Sequence, residues 1–247
     1  MKKDVLTKKV LCSLLLAGTV GMSNMAFANS GGSIVDSDYV GSTTSNSNVV
    51  IDSNFKGDVY GGKSDTDAVK DNTVTITNGA VVNGNVYGGY VNGSMPVIGA
   101  LSQNNTVIIE KGAVIEKAVI GGKSFLTASE NNIFVDSSTV KGGILGGYSR
   151  AQVNSNTVTI TNSKIYAGEL NVDDGNTVTA AVIGGAGKSP TDSDTENNKV
   201  EINNSTIVGD IYGYYSFNEV DGKAQNNTVT IAGNSDLTEA ALYGTNV

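Results

Sequence analysis

The chain repeats one short unit seven times, and a chain built this way must stack its units into an array. The second copy reads NTVTITNGAVVNGNVYGGY, from Asn72 to Tyr90. Others start at Asn105 (NTVIIEKGAVIEKAVIGGKS), Asn131 (NNIFVDSSTVKGGILGGYS), Asn156 (NTVTITNSKIYAGEL), Asn198 (NKVEINNSTIVGDIYGYYS) and Asn227 (NTVTIAGNSDLTEAALYG), and a degenerate first copy starts at Asn48 (NVVIDSNFKGDVYGGKS). Self-similarity at a period of roughly 20–50 residues marks solenoids, propellers and arrays.

Alignment of the copies exposes four apolar columns. The first holds Val49, Val74, Val107, Ile133, Val158, Val200 and Val229; the second, two residues on, Ile51, Ile76, Ile109, Val135, Ile160, Ile202 and Ile231. The third is Phe55, Val82, Ile115, Val140, Ile165, Ile207 and Leu237, and the fourth Val59, Val86, Val119, Ile144, Val182, Ile211 and Leu242. Apolar residues at every second place put one strand face inward and the other toward water. Four aliphatic side chains cannot offset the entropy of ordering a unit of about 25 residues, so no unit folds alone and each must be buried by its neighbours.

From the first to the fourth column the gaps are 10, 12, 12, 11, 24, 11 and 13 residues. A near-constant segment followed by a variable one places insertions on one side of a solenoid. The long fifth gap contains NVDDGNTVTA (Asn171 to Ala180), read as a protruding loop or an extra partial coil. The Asn ahead of the first strand (Asn72, Asn105, Asn131, Asn156, Asn198, Asn227) predicts a side-chain ladder running from coil to coil. The Gly pairs at 61–62, 88–89, 121–122, 146–147 and 184–185 are expected at corners with positive φ. The expected fold is all-β, a parallel β-helix (β-solenoid) of about seven coils; periodicity alone also admits an antiparallel sandwich or barrel.

Composition removes whole classes of function. There is no His, so Ser-His-Asp and Cys-His nucleophiles and imidazole metal sites are excluded, and the lone Cys12 cannot build a zinc site. Net charge is −8, with 16 Lys and Arg of which one is Arg (Arg150), so no basic surface is available for nucleic acid.

Residues 1–28 read as a secretory signal. Lys2, Lys3, Lys8 and Lys9 precede an apolar run from Val10 to Val20, and Ala26-Phe27-Ala28 matches an A-x-A cleavage signature, placing the cut between Ala28 and Asn29. The apolar run is shorter than the roughly 20 residues a membrane span needs. Lys9-Val10-Leu11 ahead of Cys12 is no lipobox. Cleavage would leave a mature chain of net charge −11 without cysteine, held by packing and hydrogen bonds alone. The expected organisation is a signal peptide (1–28), a Ser/Asn-rich lead or N-terminal cap (29–47) and the repeat domain (48–247).

A basic signal followed by N-x-V-x-I … V-Y-G-G units resembles the passenger region of bacterial autotransporters (type V secretion), over residues 48–247. The resemblance implies an outer-membrane origin, a parallel β-helix passenger and, often, adhesion. Such proteins end in a membrane β-barrel, and nothing after residue 217 reads that way; the expectation is an N-terminal fragment or a chain exported without its own translocator. The seventh unit keeps Val229, Ile231, Leu237 and Leu242 with no polar cap after them, so residues 29–247 are expected to associate end to end or to fray there.

Several local patterns suggest chemistry. GAGKS, ending at Ser189, lacks the Gly that a phosphate loop needs at position 182, which is Val182, and GGKS recurs at 61–64 and 121–124 as part of the repeat; it reads as a turn. Three loops carry candidate calcium carboxylates: Asp65, Asp67 and Asp71; Asp192, Asp194 and Glu196; Asp173 and Asp174. Neither the EF-hand nor the nonapeptide spacing is present, so solvated acidic loops are preferred and no cofactor is expected. Glu110, Asp136 and Glu201 lie on strands but form no acidic pair in adjacent units, and with no Trp for sugar platforms the chain is expected not to be an enzyme.

Tyr60, Tyr87, Tyr212 and Tyr243 share the slot after the fourth column, which alternation turns outward, with Tyr90, Tyr148 and Tyr214 nearby. They are a candidate exposed aromatic patch, weighed against a role in covering a neighbouring corner. The functional expectation is a non-enzymatic cell-surface or secreted β-helix protein, the passenger part of an autotransporter-like adhesin. Its partners would be host-cell or bacterial surface glycans or proteins, and an outer-membrane translocator if the chain is a fragment. A carbohydrate-binding or polysaccharide-cleaving β-helix protein and a structural surface-layer or fibre element are the alternatives.

Overall fold

A computed structural model describes residues 25–28, 38–92, 99–173, 176–188, 195–217 and 224–246. The chain winds into a β-solenoid in which every pairing between coils is parallel. Unit two shows the path of one coil: Thr73–Ile76 in sheet A, the short Val81–Val82 in sheet B, Val86–Val91 in sheet C, then Leu101–Gln103 in sheet D before sheet A resumes at Thr106–Ile109. Among the described residues, sheets A and C each stack eight strands, sheet B six and sheet D four, with Thr195–Glu196 and Ala224–Gln225 pairing separately. Sequence periodicity left strand direction open; the register settles it. Val49, Val74, Val107, Ile133, Val158, Val200 and Val229 are successive parallel partners.

The four apolar columns form one continuous core, buried from Val49 to Ile211. Val229, Ile231 and Leu237 of the last unit pack on it from a partly covered position, and Leu242 is exposed. The solenoid also extends backward beyond Asn48. Tyr39–Ser42, within the Ser/Asn-rich lead, adds a rung to sheet C, and Tyr39 packs edge-on against Phe55. Met25–Ala28 pairs in parallel with Asn48–Ile51 at the edge of sheet A. Cleavage after Ala28 would remove that strand and open the edge of Asn48–Ile51; Asn29, like most of the leader, lies outside the described residues.

The asparagine ladder is continuous. Each Asn donates its backbone N–H and its Nδ2 to the Oδ1 of the next: Nδ2 to Oδ1 is 2.9 Å from Asn72 to Asn105, 3.0 Å from Asn105 to Asn131 and 2.9 Å onward to Asn156, Asn198 and Asn227. From Asn105 to Asn198 a second Nδ2 bond goes to a sheet D carbonyl, such as Ser102 O for Asn131, while Asn72 and Asn227 donate to Thr44 O and Thr195 O. In unit one Ser47 takes the place of the Asn and donates its N–H to Asn72. Serines make a shorter ladder at the next corner, where Ser138, Ser163 and Ser205 each donate N–H to the following hydroxyl.

The Gly pairs do a different job from the one expected. They lie within sheet C strands at ordinary φ, and the left-handed corners belong to other residues. Immediately before each ladder position stand Asn46, Asp71, Asn104, Glu130, Ser155, Asn197 and Asn226, with φ from 53° to 61°. The Gly pairs answer to crowding: a Cβ on Gly121 would run into the carbonyl oxygen of Gly146, and one on Gly122 into the carboxamide of Asn131. Backbone approach beside the ladder, not backbone curvature, demands glycine there.

Candidate functional site

The outer face of sheet C carries the side chains with the most varied chemistry. After each buried fourth-column residue the next side chain points outward, and in-register pairing lines these up as Tyr60, Tyr87, Ile120, Leu145, Ile183, Tyr212 and Tyr243. Across the seven units the row is tyrosine in the outer units and aliphatic in the middle three; the rung ahead of unit one carries Val40. The insertion of unit five accounts for this. It is neither a protruding loop nor a partial coil but an antiparallel hairpin, Gly168–Asp173 with Asn176–Ala180. Its Leu170, Val172, Val178 and Ala180 share a second buried cluster with Ile120, Leu145 and Ile183. Among the seven units, aliphatic side chains therefore sit where the hairpin covers the sheet, and tyrosines in the units on either side.

The candidate exposed aromatic patch is corrected by this geometry. Tyr60, Tyr87 and Tyr212 are only 5%, 9% and 7% exposed, and Tyr243 alone, at 38%, is open. Rings one rung apart bury each other: Tyr60 stacks on Tyr87 at 4.8 Å and 2°, and Tyr212 on Tyr243 at 4.7 Å and 6°. These distances match the rung spacing of a parallel sheet, so outward alternation does not mean exposure for a side chain this large. Tyr90 closes the first stack edge-on, with centroids 5.6 Å from Tyr60 and 5.1 Å from Tyr87. Tyr215 stands against Tyr212 at 5.2 Å and 80°, with Phe217 beyond it.

A second outward column runs beside the first: Lys63, Tyr90, Lys123, Tyr148, Ala186 and Tyr215. Lys63 Nζ lies 4.2 Å from the Tyr60 ring centroid and 5.8 Å from that of Tyr90, and Lys123 Nζ lies 5.0 Å from the Tyr90 centroid. Sequence reading missed these two lysines, although the register was available: the Lys of GGKS occupies the slot of the Tyr in GGYS. Between the tyrosine stack and the hairpin is a hollow of about 350 Å³. Tyr87 and Ile120 line it together with the polar Asn85, Glu116, Lys117, Glu169 and Asn171.

Tyr60 and Tyr212 donate their hydroxyls to Asp58 and Asp210, each two residues upstream, at 3.2 Å. Burial, then the neighbouring Tyr87 and the Asp58 carboxylate, push the Tyr60 hydroxyl well above the ordinary tyrosine value of 10.0. Burial acts first on Tyr87 and Tyr212 as well, followed by Asp58 and Asp210 respectively. A neutral phenol favoured by the fold contributes stability that is complete below pH 10 and is lost as pH rises beyond it. Thermal midpoints are therefore expected to fall once the pH exceeds 10, and less so in a Tyr60→Phe/Tyr212→Phe double variant. A midpoint that holds level well above pH 10 would contradict the burial of these hydroxyls.

The other sequence candidates disperse. Asp65 accepts from Asn92, the Asp67 carboxylate from Ser64 and Thr66, and Asp71 from Asn104. Asp174, Asp192 and Asp194 lie outside the described residues, and among the described residues no three carboxylates converge on a metal position. Glu110 pairs with Lys111 at 2.6 Å and Glu201 with Lys199 at 2.7 Å, while Asp136 accepts from Asn162. Gly187 ends the sheet C strand Val182–Gly187, so the GAGKS pattern begins in a strand; Ser189 lies outside the described residues. Compared with family models, curated proteins and solved structures, the chain matches none.

Proposed function

We propose that the chain is a non-enzymatic β-helix passenger, displayed at the cell surface or secreted in the manner of an autotransporter-like adhesin, with the outer face of sheet C as its binding surface. The observation that carries the reading is the layout of that face. Two tyrosine stacks flank a hairpin, and lysines lie over the rings of the first stack. Tyrosine on a rigid sheet supplies contact area for recognition at low entropic cost, and lysine supplies charge. The leader supports export: a basic start, a short apolar run and Ala26-Phe27-Ala28. A second reading, a carbohydrate-binding or polysaccharide-cleaving protein, draws on the hollow in which Tyr87 meets Asn85, Lys117 and Glu169.

Expression of the full chain in a Gram-negative host tests both halves. The exported protein is expected to have an intact mass beginning at Asn29, and purified material is expected to adhere to epithelial or bacterial cells. A Tyr90→Ser/Tyr215→Ser double variant should adhere several-fold less with its fold retained. Retention of residues 1–28 in a cytoplasmic product would overturn the export assignment. Adhesion indifferent to the tyrosines would overturn the choice of face, and release of reducing ends from polysaccharide would favour the second reading.

A further inference from the structure

We infer that the Tyr60–Tyr87–Tyr90 flank of sheet C binds an extended acidic polysaccharide, a uronate-bearing glycan lying along the solenoid axis. The inference rests on the reading of sheet C as the binding face, and it names the ligand class for one half of that face. The two flanks share their aromatic stacking but differ in charge. At the first, Lys63 and Lys123 lie over the tyrosine rings and Lys117 lines the adjoining hollow. At the second, the outward column around Tyr212 and Tyr243 holds Ala186 and Tyr215 in the register positions of those lysines. In a chain of net charge −8, Lys63 and Lys123 over one aromatic cluster mark the first flank for an anion, whereas Lys117 shares the hollow with Glu116 and Glu169 and Asp58 takes up the Tyr60 hydroxyl.

The geometry favours a linear ligand with spaced charges. Lys63, Tyr90 and Lys123 occupy three consecutive rungs of one column, so the two ammonium-bearing rungs are about 10 Å apart along the axis. Successive rings of an extended sugar chain advance by nearly one rung, which brings carboxylates past each lysine while ring C–H groups meet the half-buried Tyr90. The amide and carboxylate groups of Asn85, Asn171 and Glu169 at the hollow suit sugar hydroxyls, which both donate and accept. A polyphosphate suits the face less well. Its dense charge requires clustered cations, whereas the two lysines of this column stand two rungs apart.

Calorimetry on the full chain tests this with three probes: a galacturonate hexamer, neutral cellohexaose and a thymidylate oligonucleotide. The galacturonate hexamer is expected to bind at least about tenfold more tightly than cellohexaose, with binding weakened by added salt. Lys63→Gln/Lys123→Gln should remove that preference without moving the thermal midpoint, and Tyr90→Ala should weaken both sugars. Tyr243→Ala, on the other flank, should leave the affinity for the galacturonate hexamer within about twofold. Equal affinity for the two sugars, equal affinity for the oligonucleotide, or indifference to the lysine pair each overturns the inference. If neither sugar binds while the protein still adheres to cells, the ligand class fails and the adhesive reading stands; loss of both defeats both.

Discussion

Ile160→Asp is expected to cost several kcal/mol and to unfold much of the chain, whereas Thr159→Asp one residue earlier should cost no more than about 1 kcal/mol. Ile160 is fully buried, its parallel partners are Val135 and Ile202, and all three belong to the continuous core. A carboxylate there has no cation and no donor within an aliphatic layer. Thr159 points out of sheet A between Phe134 and Glu201, and its hydroxyl donates to Glu201 at 3.5 Å. An Asp at 159 would stand opposite Glu201, and like charges on adjacent strands repel. The smaller effect should therefore shrink with added salt and the larger one should not. Urea denaturation of the two variants measures both, and similar midpoint shifts would mean that the inward register of sheet A is misplaced.

The core was legible because its signal is local and repeated. A strand shows its buried face by alternation, and seven copies average out exceptions such as Phe55 and Leu237. The ladder was legible for the same reason: one Asn at one place, copy after copy. What failed required knowledge of how coils meet. Glycine has two uses, positive φ and close approach, and composition does not distinguish them. The left-handed φ before the ladder is carried by Asp71, Glu130 and Ser155 as readily as by Asn46, which removes any glycine signal from those corners.

The candidate site was less legible than the core, since burial on an outer face depends on what lies across it. Alternation placed Tyr60, Tyr87 and Tyr212 outward, and the hydrogen-bonding register confirms that side of the sheet. Their burial comes from rings on the next rung and from edge-on partners such as Tyr90 and Tyr215, which neither spacing nor hydropathy reports. One clue did exist. The change from Tyr to Ile120, Leu145 and Ile183 in the middle units coincides with the one long insertion, and the hairpin folded from that insertion buries those three residues. A position that becomes aliphatic only in certain repeats predicts a cover over those repeats.

Asn131→Leu is expected to destabilise the solenoid by several kcal/mol, although the side chains are similar in size and the site is buried. Asn131 sits at the centre of the ladder. Its Oδ1 accepts from the Asn105 backbone N–H at 3.2 Å and from Asn105 Nδ2 at 3.0 Å. Its Nδ2 donates to Asn156 Oδ1 at 2.9 Å and to Ser102 O at 3.1 Å. Leucine would leave those partners in a dry interior, and each buried polar group left unpaired costs about 1–3 kcal/mol. The loss should also spread along the axis, because each carboxamide is oriented by the two beside it. Asn132 is the internal control. It has the same residue type one position later, points outward, and its Nδ2 donates to Glu130 O at 2.9 Å, so Asn132→Leu, which keeps the backbone bonds, should cost about 0.5–1 kcal/mol. Urea midpoints should separate the two variants clearly. Hydrogen exchange should show the Asn105 and Asn131 amides opening faster only when the ladder residue is changed. Equal midpoints, or unchanged protection at Asn105, would show that the stacked strands hold the corner without the ladder.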